Sequence, residues 1–100
     1  MIAKPTIPTT TNRFPLGRVV ATPGAIQAMR EAEQSPAVFL TRHATGDWGD
    51  ICTSDKFLND EAIADEGRLL SAYKTSKGVR LWIITEADRS ASTILLPEEY

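Results

Sequence analysis

The side chains able to move a proton or grip an anion fall in two short stretches. The first, TRHATGDWGD (Thr41 to Asp50), holds the only histidine, His43, with Asp47, Asp50 and Trp48 around it. The second, TEADRS (Thr85 to Ser90), gathers Glu86, Asp88, Arg89 and Ser90. An imidazole near a carboxylate is an acid–base pair, and a guanidinium binds carboxylate or phosphate through two parallel hydrogen bonds. If the stretches meet, Ser90, His43 and Asp47 supply the residue types of a hydrolase triad. A small hydrolase or nuclease-like enzyme using His43, Asp47, Glu86, Asp88 and Arg89 is then one reading. Against it, Ser90 lacks the G-x-S-x-G elbow, and no oxyanion loop is recognisable.

Each stretch also has a local explanation. A histidine in the last turn of a helix is favoured by the helix dipole, and Gly46 after it is an ordinary terminator. Asp88 and Ser90 form turns through hydrogen bonds to their own backbone. Arg89 is expected to clamp that turn by pairing with Asp88, Glu86 or Asp47. Cys52 and His43 are too few soft ligands for a conventional zinc site, so no metal is expected. Gly17, Gly24, Gly46 and Gly49 form neither a P-loop nor a dinucleotide fingerprint, so no cofactor is expected either. Cys52 has no adjacent cation and reads as an inert thiol.

One hundred residues suffice for a single modest core. The formal charge of −2 is uneven: residues 1–34 and 68–100 are slightly basic, whereas residues 35–67 set two cations against seven acids. Such an acidic middle reads as a solvated helical face. No clustered basic stripe is present, which disfavours nucleic acid as the main ligand. No apolar run approaches the ~20 residues of a membrane span. The lone cysteine rules out a disulfide within the chain and predicts a reducing cytoplasm.

These residues need elements to position them. Residues 1–12, MIAKPTIPTTTN, read as a flexible Thr/Pro-rich arm before a single domain over 13–100. Arg18 to Ala21 suggests a short strand. Thr22-Pro23 and Ser35-Pro36 repeat one helix-start device, a capping side chain before a proline at the first helical position. The first helix puts Ile26 and Met29 on one side with Ala25, Ala28 and Ala32 nearby, and the second offers Val38, Phe39 and Leu40, with His43 four residues after Phe39 on the same face. A third helix is expected from about Ser54 to Glu66, capped by Ser54 or Thr53. Its apolar side is Phe57, Leu58, Ala62 and Ile63, and its end is prone to fray because Glu66 meets the negative pole. RLLSAYKT, VRLWIITE and STILLP, joined by SKG and ADRSA, form an antiparallel meander with Gly78 left-handed in the hairpin.

The fold class is therefore α+β: a three-stranded C-terminal antiparallel meander packed against about three helices, with the short Arg18–Ala21 strand a candidate, not a required, fourth member. Because β-strand residues alternate, Leu81, Ile83 and Thr85 share one face and Trp82, Ile84 and Glu86 the other. Helices cover one of these apolar faces; the other is left for the first strand, the arm or a second subunit.

The wording FPLGRVVATPGAI, RHATGDWGD and GRLLSAYKTSKGVRLWIITEADRSASTILLPEEY resembles a family of small uncharacterised bacterial proteins carried on plasmids and integrated mobile elements. The resemblance spans nearly the whole chain after the arm. It implies a cytoplasmic accessory protein and transfers no activity, cofactor or catalytic residue. A non-enzymatic interaction module, with a protein partner or as a homodimer, is the leading expectation.

Overall fold

Thr22 and Pro23 start the first helix as their types demand. The Thr22 hydroxyl accepts from the Ala25 N–H, and Pro23 takes a position where its missing N–H costs nothing. In the computed structural model, which describes residues 12–100, the elements run β1 (Arg18–Ala21), α1 (Pro23–Glu31), α2 (Pro36–Ala44), α3 (Thr53–Asp65), β2 (Leu69–Lys74), β3 (Arg80–Thr85) and β4 (Ala91–Leu95), then a 3-10 turn over Pro97–Glu99. Apart from Asn12, the arm expected over 1–12 lies outside the described residues.

The fold is α+β. β2, β3 and β4 form the antiparallel meander, and β1 joins it parallel to β4, giving the order β1-β4-β3-β2. Parallel pairing follows from the route: three helices, β2 and β3 separate β1 from β4, so no tight turn dictates their direction. Register places Ser71, Ile83 and Ile94 in one row, and Leu69, Thr85 and Ser92 in the next. Both rows face the helices.

The main core joins Ala25, Ala28 and Met29 of α1 and Phe39 of α2 to Tyr73, Leu81, Ile83 and Ile94 of the sheet. Each large aliphatic side chain buried here contributes about 1.5–3 kcal/mol. A second cluster sets Phe14, Trp48 and Leu69 against Ala62 and Ile63 of α3. Two expected helix faces are corrected. Ile26 is exposed because α1 seats on the sheet through Ala25, Ala28 and Met29. Phe57 and Leu58 are also exposed, at 60% and 59%, and Asn59 is the buried residue of α3. The reason is a polar dock. Asn59 Nδ2 donates to the Leu70 carbonyl (2.7 Å) while its Oδ1 accepts from the Leu70 N–H (3.2 Å), which ties α3 to the outer edge of β2. The helix also starts one residue earlier than expected, with Cys52, rather than Thr53 or Ser54, at the N-cap.

The β2 edge is closed further along by the segment after α2. Ala72 donates to the Trp48 carbonyl (3.1 Å) and accepts from the Asp50 N–H (2.7 Å), a one-residue parallel bridge at Gly49. Gly49 sits at φ +77, and a Cβ there would collide with the Ala72 carbonyl oxygen and the Tyr73 ring. The opposite face of the sheet carries no helix. Only the last 3-10 turn and Tyr100 reach it, with the Tyr100 ring edge-on to Trp82 at 5.8 Å. Among the described residues no helix is long and apolar enough to cross a membrane.

Candidate functional site

Phe39 and His43 are one helical turn apart, so the face that buries one buries the other. His43 is 0% exposed, with its ring edge-on to Phe14 (5.2 Å) and Trp48 (5.6 Å). A buried imidazole needs partners for both nitrogens. Inward-facing strand residues supply them: Nδ1 lies 2.5 Å from Ser71 Oγ of β2, and Nε2 lies 2.9 Å from Thr85 Oγ1 of β3. Thr85 in turn meets Ser92 Oγ of β4 at 2.7 Å, and Ser92 donates to the Leu16 carbonyl at 2.8 Å.

The carbonyl end sets the direction of this chain, since a carbonyl only accepts. The Ser92 proton points to Leu16, the Thr85 proton to Ser92, and the Nε2 proton of His43 to Thr85. Nδ1 is left to accept from Ser71. Neutral His43 thus satisfies every group in the row, and no buried side-chain polar atom among the described residues lacks a partner. Burial pushes the His43 pKa down from 6.5 to about 4. A histidine charged at its helix end, as the dipole argument expects, is corrected: α2 ends inside the core, where an unpaired charge is costly.

Asp47 does not join this cluster. It faces solvent and receives Arg42 through Nε (2.7 Å) and Nη2 (3.3 Å), which holds its carboxyl below the usual range. Arg42 also lies over the Tyr73 ring, 4.5 Å from its centre. The Tyr73 hydroxyl donates to the Asp47 carbonyl (2.6 Å), and burial raises the Tyr73 pKa to about 12. Trp48 is buried, and its indole N–H donates to Asp60 (2.9 Å).

The turn between β3 and β4 holds the remaining candidates. Asp88 is exposed and accepts from the Ser90 N–H at 3.0 Å, a turn-forming bond; the hydrogen bonds from Ser90 lower its carboxyl pKa. Glu86 pairs with Arg68 at 3.5 Å, with both side chains about half exposed. Arg89 has a left-handed backbone (φ +62) and folds under the turn. Its Nη1 donates to the carbonyls of Gly67 (2.6 Å), Glu86 (3.1 Å) and Ala87 (3.2 Å), and its Nη2 to Ala62 (2.8 Å). The expected partners Asp88, Glu86 and Asp47 are therefore corrected: among the described residues Arg89 enters no ion pair with them. It caps the negative end of α3, the end that Glu66 would otherwise leave unfavourable.

Among the described residues the hydrogen bond that joins the two stretches runs from His43 to the Thr85 hydroxyl. The side chains of Glu86, Asp88 and Ser90 point elsewhere. Among the described residues no solvent-facing centre joins a base to a nucleophile, and His43 has no exposed atom to offer a substrate. Among the described residues no cluster of three His, Cys, Asp or Glu is placed to hold a metal ion. Cys52 is exposed, with Ser54 Oγ 3.3 Å from its sulfur.

Sequence reasoning missed Ser71, Ser92 and Asn59 as organising residues. A signal existed for the first two: a small hydroxyl residue interrupts the inward-facing apolar row of each meander strand, at Ser71, Thr85 and Ser92, opposite a single helical histidine. No family model, curated protein or solved structure matches the chain.

Proposed function

We propose that the protein is a non-enzymatic interaction module that binds another protein on the helix-free face of its sheet. One observation carries this reading: that face keeps an apolar surface uncovered by any helix. Leu70, Trp82, Ile84 and Tyr100 line an open groove of about 290 Å³, in which Tyr100 is exposed, Leu70 and Trp82 are half-buried and Ile84 forms the buried floor. The groove shares Arg68 and Leu70 with a second one of about 250 Å³ running toward Leu58 of α3. Exposed apolar surface that continues from one element to the next marks interaction sites, and Trp and Tyr are the residues that most often anchor them. Arg68 at the strip is already paired with Glu86, whereas Lys74 and Arg80 stand beyond Trp82 on the same face, so an apolar segment with an acid at that end is the complementary partner.

The polar residues favour the same reading by their dispersal. His43 is sealed, Asp47 is paired with Arg42, and Arg89 is committed to main-chain carbonyls. The hydrolase or nuclease-like alternative has no shared centre on which to act. An accessory role on a plasmid or integrated mobile element rests on the sequence resemblance alone.

The test is protein capture with immobilised wild type, Trp82→Glu and a control, Val38→Glu, on the exposed side of α2. We expect a saturable protein ligand that the control retains and Trp82→Glu loses at least tenfold, with unchanged circular dichroism. Equal retention by Trp82→Glu, or no ligand above a blank matrix, overturns the reading.

A further inference from the structure

The two edges of the sheet are finished differently. At the β2 edge the outward main-chain groups of Leu70 and Ala72 are taken by Asn59, Trp48 and Asp50. At the β1 edge the phase of pairing is fixed by Arg18 N–H on the Ser90 carbonyl and Thr22 N–H on the Ile94 carbonyl. Even-numbered residues therefore point to β4, and Val19 and Ala21 turn their N–H and C=O groups outward. Among the described residues none of these outward groups has a main-chain partner from another segment. Val19 and Val20 are 43% and 39% exposed. An open, β-branched edge without proline or lysine is a template for another strand.

Charge selects the occupant. Arg18 stands exposed at the start of β1 and enters no ion pair among the described residues. Just past its other end stands Glu99, whose carboxylate accepts from the Thr22 hydroxyl, the Gly24 N–H (3.0 Å) and the Leu96 N–H (2.9 Å). Arg18, Val20 and Thr22 share strand parity. A strand that is positive at one end and negative at the other is complementary to an antiparallel copy of itself.

We propose that β1 is a homodimerisation edge, in which two copies pair antiparallel about a two-fold axis at Val20. In that register Val19 of each copy faces Ala21 of the other, and each such pair exchanges both outward N–H···O bonds. Val20 meets its own copy at the axis. Arg18 of each copy faces Thr22 of the other and reaches the carboxylate of Glu99 held there. The contact is isologous and closes at two, making one continuous eight-stranded sheet. It uses the edge, not the groove around Trp82, so it stands or falls apart from the function proposed above.

Sedimentation equilibrium over a micromolar to millimolar series tests it. The wild type is expected as a dimer that weakens as salt rises. Val19→Pro removes an outward N–H that β4 does not use, and Val20→Lys sets like charges together at the axis. Both are expected to weaken the dimer at least tenfold, each with an unchanged heteronuclear spectrum away from β1. Arg18→Gln is expected to weaken it and to abolish the salt dependence. A wild type monomeric at millimolar concentration overturns the proposal. So does a dimer that a folded Val20→Lys variant leaves within twofold, or one broken by Trp82→Glu but not by the β1 variants.

Discussion

At the end of α2 the last carbonyls are met by the chain's own main chain, whereas at the end of α3 the main-chain bonds from Glu66 and Gly67 to the Ala62 carbonyl are joined by an arginine from another element. Thr45, Gly46 and Asp47 donate their N–H groups back to Thr41, His43 and Arg42. Arg89 crosses from the β3–β4 turn to reach Ala62 and Gly67. With its end closed locally, α2 can turn His43 into the core as a neutral hydrogen-bonding ring. α3 adds to its main-chain closure a fixed positive charge delivered at a half-exposed site. Two residues that look alike as candidate chemistry thus serve opposite electrostatic ends: one works because it stays uncharged, the other because it cannot lose its charge.

The sharpest way to break this comparison is His43→Ala. It empties a fully buried site and strands the Ser71 and Thr85 hydroxyls, at a combined cost of about 3–5 kcal/mol. Urea unfolding reads that loss directly, and a change below about 1 kcal/mol would mean the row contributes nothing. Second comes pH. The folded His43 pKa of about 4 lies below the ordinary 6.5, so the unfolded chain takes up the proton first. The resulting stabilisation is complete above pH 6.5 and disappears as pH falls toward 4, a span of about 3 kcal/mol. The carboxylates of Asp47, Asp88 and Glu99 have lowered values and lose their contribution only below the ordinary carboxylate range. Urea midpoints between pH 7 and pH 4.5 should therefore slope for the wild type and flatten for a folded His43→Asn variant.

Arg89→Ala is the third comparison. It frees carbonyls at the end of α3, and a loss of about 1–3 kcal/mol is expected, constant between pH 5 and pH 7. Arg89→Lys should recover part of it, because one ammonium cannot span Gly67 and Ala62 as the fork does. The smallest effect belongs to Arg42→Gln. Its pair with Asp47 is about half exposed on both sides, so thermal or urea unfolding should move by no more than about 1 kcal/mol.

The parts of the fold that neighbours in the chain decide were legible. Thr22-Pro23 and Ser35-Pro36 begin helices as read, although Ser35 makes no side-chain cap bond, and Gly78 takes the left-handed turn position between β2 and β3. The strand alternation placed Leu81, Ile83 and Thr85 on one face, where all three are buried. What distant partners decide was not legible. On α3 the expected Ala62 and Ile63 do pack inward, but the seating of the helix through Asn59 on the Leu70 main chain, which exposes Phe57 and Leu58, is encoded in no helical periodicity. Arg89 is surrounded by acids in sequence, yet its nearest acceptors in space are carbonyls of residues more than twenty positions away. The two polar stretches read as a divided site because burial, which separates a reactive histidine from a core one, is a property of the whole packed molecule.

The close approach of Gly49 to Ala72 has a consequence for how many molecules can join. A β-sheet grows from its edges, and a protomer with one open edge is monovalent: pairing stops when two have met. The Trp48–Asp50 stitch keeps β2 out of that chemistry, and it fits only because residue 49 has no side chain. Lifting it would free the main chain of Ala72, while Asn59 would still hold that of Leu70. In the pairing proposed for β1, a partly freed second margin would be the first step from closed pairs toward stepwise, open-ended growth, and the absence of a side chain at residue 49 guards against it.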